Sequence, residues 1–334
     1  MRKFILLFIL LAASVHAGSY PGLKVQGRYL YDPAGDRITL RGANAMIVFW
    51  DRYGENNYAE LAKTGANCCR IFWSTGHESE PVMPASDLDK TLSNCIKNKM
   101  IPIVSVWDAT GDWSKFQKCV DYWTRPDVSA VLKKHEKYLL LNIGNEVGTV
   151  VSNEVFRENY KTAVNQIRKA GIHVPLIIDA DGYGRNAKTL LENGPYLLAE
   201  DPDQNLIFSW HLWDPMKYGG GSTDSIRKFI DGSIEKDICF IVGEFGPTEF
   251  GDQPASGKVN WEYLIEYADK KDIGWLAWVW NFSDRHSIVN PATGKFGDWT
   301  NSPWGEQVAV ASPYSIKNTA KKTQWLENGV KGAK

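Results

Sequence analysis

The chain has 334 residues, 38 of them basic and 39 acidic, for a formal net charge of −1. So even a balance excludes the electrostatic footprint of a nucleic-acid or anionic-membrane binder and favours an uncharged substrate. No stretch past the N-terminus reaches the roughly 18 consecutive apolar residues of a membrane-spanning helix.

The first segment, Met1-Arg2-Lys3 followed by an apolar run over 4–13 and small residues at Val15 and Ala17, is expected to be a signal peptide over residues 1–17. Its removal takes away Arg2 and Lys3, so the formal charge becomes −1 − 2 = −3. The remaining 18–334 is expected to be one secreted, extracellular domain. Apolar runs fit for buried strands recur at 38–43, 66–73, 101–108, 138–146, 175–182, 206–213, 238–245 and 274–281. Between them lie helical patterns at 57–64, 86–99, 153–170, 222–233 and 261–270. Ser86 is placed to cap the second of these helices and Gly171 to close the third. Strand and helix alternate with no linker or composition break, so the fold class is α/β and a single (β/α)8 TIM barrel accounts for the whole pattern.

Two of the strands end alike. The run 139–143 passes into Gly144-Asn145-Glu146, and 238–242 into Gly243-Glu244-Phe245-Gly246. Parallel barrel strands deliver their C-terminal ends to one face, so Glu146 and Glu244 are expected to meet across a cleft. A salt-bridged glutamate at a strand tip is the structural alternative for either one alone, but two at matching places point to paired carboxylate chemistry. Arg70, ending the second strand, is positioned to keep a nearby carboxylate ionised. Fourteen tryptophans are a heavy allotment. Trp50, Trp73, Trp107, Trp113, Trp210, Trp213, Trp280, Trp299 and Trp304 fall at strand ends or loops, where flat rings suit sugar faces; about half of all are expected to be packing residues. Of the last strand's tryptophans, Trp280 is expected to reach the cleft, and the neighbouring sequon Asn281-Phe282-Ser283 to stay unglycosylated.

Five cysteines, Cys68, Cys69, Cys95, Cys119 and Cys239, leave at least one thiol unpaired. Strand alternation turns Cys69 toward the helix layer that carries Cys95, and a disulfide between these two is the expectation. There is no Cys-x-x-Cys pair and no His-x-His cluster, which disfavours a metal-dependent hydrolase.

These motifs, together with Phe208-Ser209-Trp210-His211, Val106-Trp107-Asp108-Ala109-Thr110-Gly111, Ile178-Asp179-Ala180-Asp181-Gly182-Tyr183-Gly184 and Gly274-Trp275-Leu276-Ala277-Trp278-Val279-Trp280-Asn281, resemble the strand-end motifs of glycoside hydrolase family 5, and within it the secreted bacterial-type endo-β-1,4-mannanases. The resemblance runs from about Arg41 to Ser312. It implies Glu146 as acid/base and Glu244 as nucleophile, with Arg70, Asn145, His211 and Trp280 around the sugar and Trp107, Tyr183 and Trp213 as further substrate-binding residues. Two positions depart from the family pattern: Trp107 stands where His usually precedes the third-strand Asp, and Trp213 where Tyr usually follows the sixth-strand His. An indole donates one hydrogen bond and accepts none, so neither tryptophan duplicates the group it replaces.

The implied activity is retaining hydrolysis of β-1,4-mannan, with β-1,4-glucan as the alternative substrate and a catalytically weak carbohydrate-binding barrel as a second class of function. No cofactor or metal is expected. The expected partner is a polysaccharide, with neither nucleic acid nor membrane, and the protein is expected to be a monomer.

Overall fold

Eight parallel strands close on themselves in the computed structural model of the chain, which describes residues 20–49, 51–76, 82–249, 257–283, 285–300 and 303–329. The expected signal peptide and Trp50 lie outside the described residues. Three short strands come first: β1 (Lys24–Gln26), β2 (Tyr29–Tyr31) and β3 (Arg37–Ile38). The barrel follows as β4 (Arg41–Ala45), β5 (Cys68–Trp73), β6 (Ile101–Val106), β7 (Leu140–Asn142), β8 (Leu176–Asp179), β9 (Leu206–Leu212), β10 (Phe240–Phe245) and β11 (Gly274–Ala277). Each barrel strand overlaps one of the eight expected runs. The first is displaced because Arg37 and Ile38 pair with β2 instead.

Helices α1 (Glu55–Ala62), α2 (Ala85–Lys97), α3 (Phe116–Thr124), α4 (Pro126–Lys134), α5 (Asn153–Lys169), α6 (Ala187–Glu200), α7 (Thr223–Glu235) and α8 (Trp261–Lys270) surround the barrel. Gly171 closes α5 with φ +77°, as its position after Ala170 requires. Ser86 is not a cap: α2 starts one residue earlier, and Pro84 holds the capping position. Among the described residues no helix is long and apolar enough to cross a membrane.

Strand alternation sorts the core. Outward side chains such as Cys69, Ile71, Val104, Leu141 and Ile178 pack against the helices. At the N-terminal ends of the strands, inward side chains including Cys68, Ile101, Leu140, Ile177, Ile207 and Ile241 form an apolar plug with Leu23, Val25, Leu30 and Ile38 of the small sheet. The small sheet thus closes the bottom of the barrel. Above the plug the interior turns polar, with Asn44, Arg70, Ser105, Asn142, Asp179, His211 and Glu244 all buried. Burying so many polar groups is tolerable only where they pair with one another, and most do so around Arg70, whereas His211 Nε2 has no hydrogen-bond partner and lies 3.6 Å from Asp179 Oδ2.

Cys69 and Cys95 belong to the same core cluster, as alternation implied, but all five cysteines are free thiols. The expected disulfide is therefore corrected. Cys95 Sγ instead faces the Met100 carbonyl oxygen at 3.7 Å, and burial pushes the Cys68 and Cys239 thiols up to about 12.

Candidate active site

Arg70 rises from β5 into the barrel axis and is 1% exposed. Its guanidinium donates to Glu244 Oε1 at 2.7 Å, Asn44 Oδ1 at 3.0 Å, Asn145 Oδ1 at 2.7 Å, Asn142 Oδ1 at 2.7 Å and Asp179 Oδ2 at 3.2 Å. A planar cation with five donors in fixed directions can tie several strands at once, which an ammonium cannot.

Glu244 stands at the end of β10, where the ladder with β9 shifts register between Val242 and Glu244. Gly243 permits the irregularity, since a Cβ there would lie 2.2 Å from Ser209 Oγ. The shift sets Glu244 opposite His211. Glu146 follows β7 and sits at φ +47°, a left-handed conformation that non-glycine residues seldom adopt. Its backbone N–H is held by Asp179 Oδ2 at 3.0 Å, and its Oε1 meets His211 Nδ1 at 2.8 Å. Carboxylate oxygens of Glu146 and Glu244 lie within 4.8 Å of one another. The two expected glutamates are thus brought together.

Both glutamates open onto a cleft of about 1010 Å³ at the C-terminal face of the barrel. Trp107, Asn145, Tyr183 and Trp213 line it as expected, while Arg70 and His211 lie beneath its floor. Tyr183 is 48% exposed and rests against Gly111, where a Cβ would come within 2.4 Å of the ring. Trp280 is corrected: it is fully buried in the outer core, and Trp278 lines the cleft in its place. Alternation would set Trp278 and Trp280 on one side with the terminal Trp280 reaching the cleft, but strand β11 ends at Ala277, so the period does not extend that far. Trp278 meets Phe72 edge to face at 5.2 Å and Trp213 at 6.2 Å, making an aromatic floor. Trp73, Trp210 and Trp304 are packing residues, buried with their N–H groups bonded to Tyr122 Oη and to the backbone oxygens of Arg185 and His286. Asn281 Nδ2 donates to Asn57 Oδ1 at 3.0 Å.

Trp213, one of the two departures from the family pattern, donates from Nε1 to Glu244 Oε2 at 3.2 Å. The donor half of the replaced tyrosine is therefore retained, while its capacity to accept is lost.

Burial pushes both carboxyls up. Glu146 rises to about 8, by burial first and then by the charge of Asp179, against the opposing pull of Arg70. Glu244 rises to about 7, by burial first, with His211 and Arg70 pulling down and Glu146 and Asp179 pushing up. Arg70 does lower Glu244 as expected, but burial outweighs it. The anion that raises Glu146 is Asp179. Two acids this close titrate as a pair. The proton belongs on Glu146, because Glu244 already accepts from Arg70 and Trp213. Burial lowers His211, so its imidazole is neutral near pH 7.

Carboxyls raised from an ordinary 4.5 to about 7 and about 8 add stability that is complete below pH 4.5 and is lost as pH rises to about 8. The melting temperature is expected to fall between pH 5 and 8, and Glu146→Gln to flatten that fall. Calorimetric scans across this range check it; an identical slope in the variant contradicts the buried-acid assignment.

Glu146, His211 and Glu244 could each offer one ligand atom to a cation. Arg70, 2.7 Å from Glu244 Oε1, would repel one, and the His211 nitrogen facing the pair is engaged with Glu146.

The residues that reasoning from sequence did not assign are Asn44, Asn142, Asp179 and Trp278. Asp179 had a legible signal, a carboxylate ending an apolar strand just as the two glutamates do.

The chain is similar in sequence and in fold to named mannan-degrading enzymes. It is 30% identical over 264 residues to a mannan endo-1,4-beta-mannosidase of Salipaludibacillus agaradhaerens, covering 78% of this chain and 81% of the relative. It is 26% identical over 298 residues to a mannan endo-1,4-beta-mannosidase of Streptomyces lividans, covering 87% and 74%. The mannotriose complex of Thermomonospora fusca beta-mannanase superposes with a TM-score of 0.79 at 26% identity, over 91% of this chain and 99% of that one. The family model described as Cellulase (glycosyl hydrolase family 5) matches residues 31–284, which span all eight barrel strands and both glutamates, and with that match the chain belongs to glycosyl hydrolase family 5 and is a glycoside hydrolase.

Proposed function

We propose that the protein is a secreted, retaining endo-β-1,4-mannanase. The observation that carries the reading is the carboxyl pair, with oxygens within 4.8 Å of one another. A nucleophile and an acid/base acting on one bond stand roughly 5 to 5.5 Å apart, whereas an inverting pair needs about 6.5 Å or more to admit a water.

Glu244, held as an anion by Arg70 and Trp213, attacks the anomeric carbon while Glu146 gives its proton to the departing oxygen. Bond formation neutralises Glu244, so the electrostatic push on Glu146 changes and Glu146 can take a proton from the incoming water. Water then displaces Glu244 and the sugar leaves with its original configuration. Trp107, Tyr183, Trp213 and Trp278 offer ring faces and edges to the pyranose units. Mannan is favoured by the activities named for the relatives, and secretion by the leader-like segment 1–17.

The purified protein is expected to release reducing ends from soluble mannan. Release from a soluble β-1,4-glucan alone would keep the mechanism and make the protein a glucanase, the reading favoured by the family's description as cellulase. Silence on both, with the protein folded, would sink the proposal and leave a carbohydrate-binding barrel.

Trp213→Phe removes the indole donor from Glu244 and is expected to lower kcat/KM about 10- to 100-fold, the scale of a hydrogen bond to a charged group. Trp213→Tyr, which restores a donor, should lose less. An unaltered kcat/KM in the Phe variant would show that this contact does not support the nucleophile.

A further inference from the structure

Asp179 ends β8 with 0% exposure and faces four residues of the site. Its Oδ2 accepts from the Glu146 backbone N–H at 3.0 Å and from Arg70 Nη2 at 3.2 Å, and it lies 3.6 Å from His211 Nε2. Its Oδ1 accepts from Asn142 Nδ2 at 3.3 Å. It does not line the cleft, so it is out of reach of substrate.

We propose that Asp179 is a positioning residue for the acid/base: it pins the Glu146 amide in the left-handed turn and biases His211 toward the tautomer with its proton on Nε2, leaving Nδ1 to accept from the Glu146 carboxyl. This rests on the reading of Glu146 as acid/base.

The constraint on the Glu146 backbone is steric. A glutamate at φ +47° is strained, and such a conformation persists only when its surroundings fix it. The Asp179 oxygen is the acceptor that fixes the Glu146 N–H. The constraint on the His211 imidazole is electrostatic. A neutral imidazole has one N–H and one acceptor nitrogen, and the carboxylate facing Nε2 favours the proton there. Nδ1, 2.8 Å from Glu146 Oε1, is then an acceptor and is served only by a protonated Glu146. The charged and titratable groups facing Glu146 are Arg70 from β5, Asp179 from β8, Arg185 after it, His211 from β9 and Glu244 from β10. Among them Asp179 supplies the negative charge that, with burial, pushes Glu146 up to about 8.

Asp179→Asn keeps an acceptor oxygen and removes the charge, so it separates the two constraints. In soluble mannan hydrolysis its kcat/KM profile is expected to lose its alkaline limb at a pH lower by about one unit or more, with KM little changed. Asp179→Ala, which removes the acceptor as well, should lower kcat a further tenfold or more. The ¹⁵N shifts of His211 should show Nε2 protonated in the wild type and a mixed tautomer in the Asn variant. An unshifted alkaline limb with an unchanged His211 spectrum would overturn the proposal, and Asp179 would be a structural partner of Arg70 and Asn142. If the Asn variant fails to fold, hydrogen exchange in the wild type decides: the Glu146 amide is expected to be protected, and exchange at the rate of an open loop would overturn the geometry. Glu146→Gln, measured alongside, separates the two levels. If it retains full activity the acid/base reading fails, whereas a dead Glu146 variant beside an unshifted Asp179→Asn profile defeats this inference alone.

Discussion

Glu244→Ala is expected to lower turnover of mannan by a factor on the order of 10⁴ to 10⁶ while leaving the barrel folded, because among the described residues no other group is placed to form the covalent intermediate at the anomeric carbon. Glu146 lies across the bond and is committed as the proton donor. The alanine leaves a small void on the same face, open to an external anion. Azide is therefore expected to restore part of the activity and to yield a glycosyl azide of configuration opposite to the substrate, since it attacks once and is not displaced. Product stereochemistry by NMR checks this. Azide product of retained configuration would mean that Glu244 is the acid/base and Glu146 the nucleophile; near-normal hydrolysis would remove Glu244 from the mechanism.

Arg70→Met is expected to have the largest effect on stability. The guanidinium offsets Glu244 and Asp179 and satisfies the side-chain oxygens of Asn44, Asn142 and Asn145. Removing it leaves buried carboxyls without a cation, a loss of about 3 to 5 kcal/mol. The melting temperature should fall by about 10 °C. Activity should fall with it, since Glu244, already raised to about 7 by burial, loses a group that holds it down. Glu244→Leu added to Arg70→Met removes one stranded charge and should recover part of the stability but none of the activity. A melting temperature within about 2 °C of wild type in the single variant would show that the polar interior does not depend on Arg70.

The barrel was legible because each strand is an apolar run bounded by turn residues, and the two glutamates because they break such runs at matching places. The strands of the small sheet were not, since segments of two or three residues carry no period. Helix α6 hid behind Gly194-Pro195, two poor helix formers in its interior. Helices α3 and α4 are split at Arg125-Pro126, which interrupts a single periodic pattern. Choosing between Trp278 and Trp280 required knowing that β11 stops at Ala277. Asp179 bears the same signature as the glutamates, but its partners come from β5, β7 and β9, and only closure of the barrel brings them together.

The small sheet of β1, β2 and β3 closes the end of the barrel opposite the cleft. Val25 N–H bonds to Asn205 Oδ1 ahead of β9, and Arg28 to the Lys271 backbone oxygen ahead of β11, so this end is anchored on two sides. For an enzyme fixed to a solid support, a linker attached ahead of Tyr20 would hold the molecule by its closed base with the cleft turned toward the liquid. A dissolved polymer could then reach the bound enzyme without passing the support, whereas a linker joined to the loops after β7 or β8 would set the cleft against it.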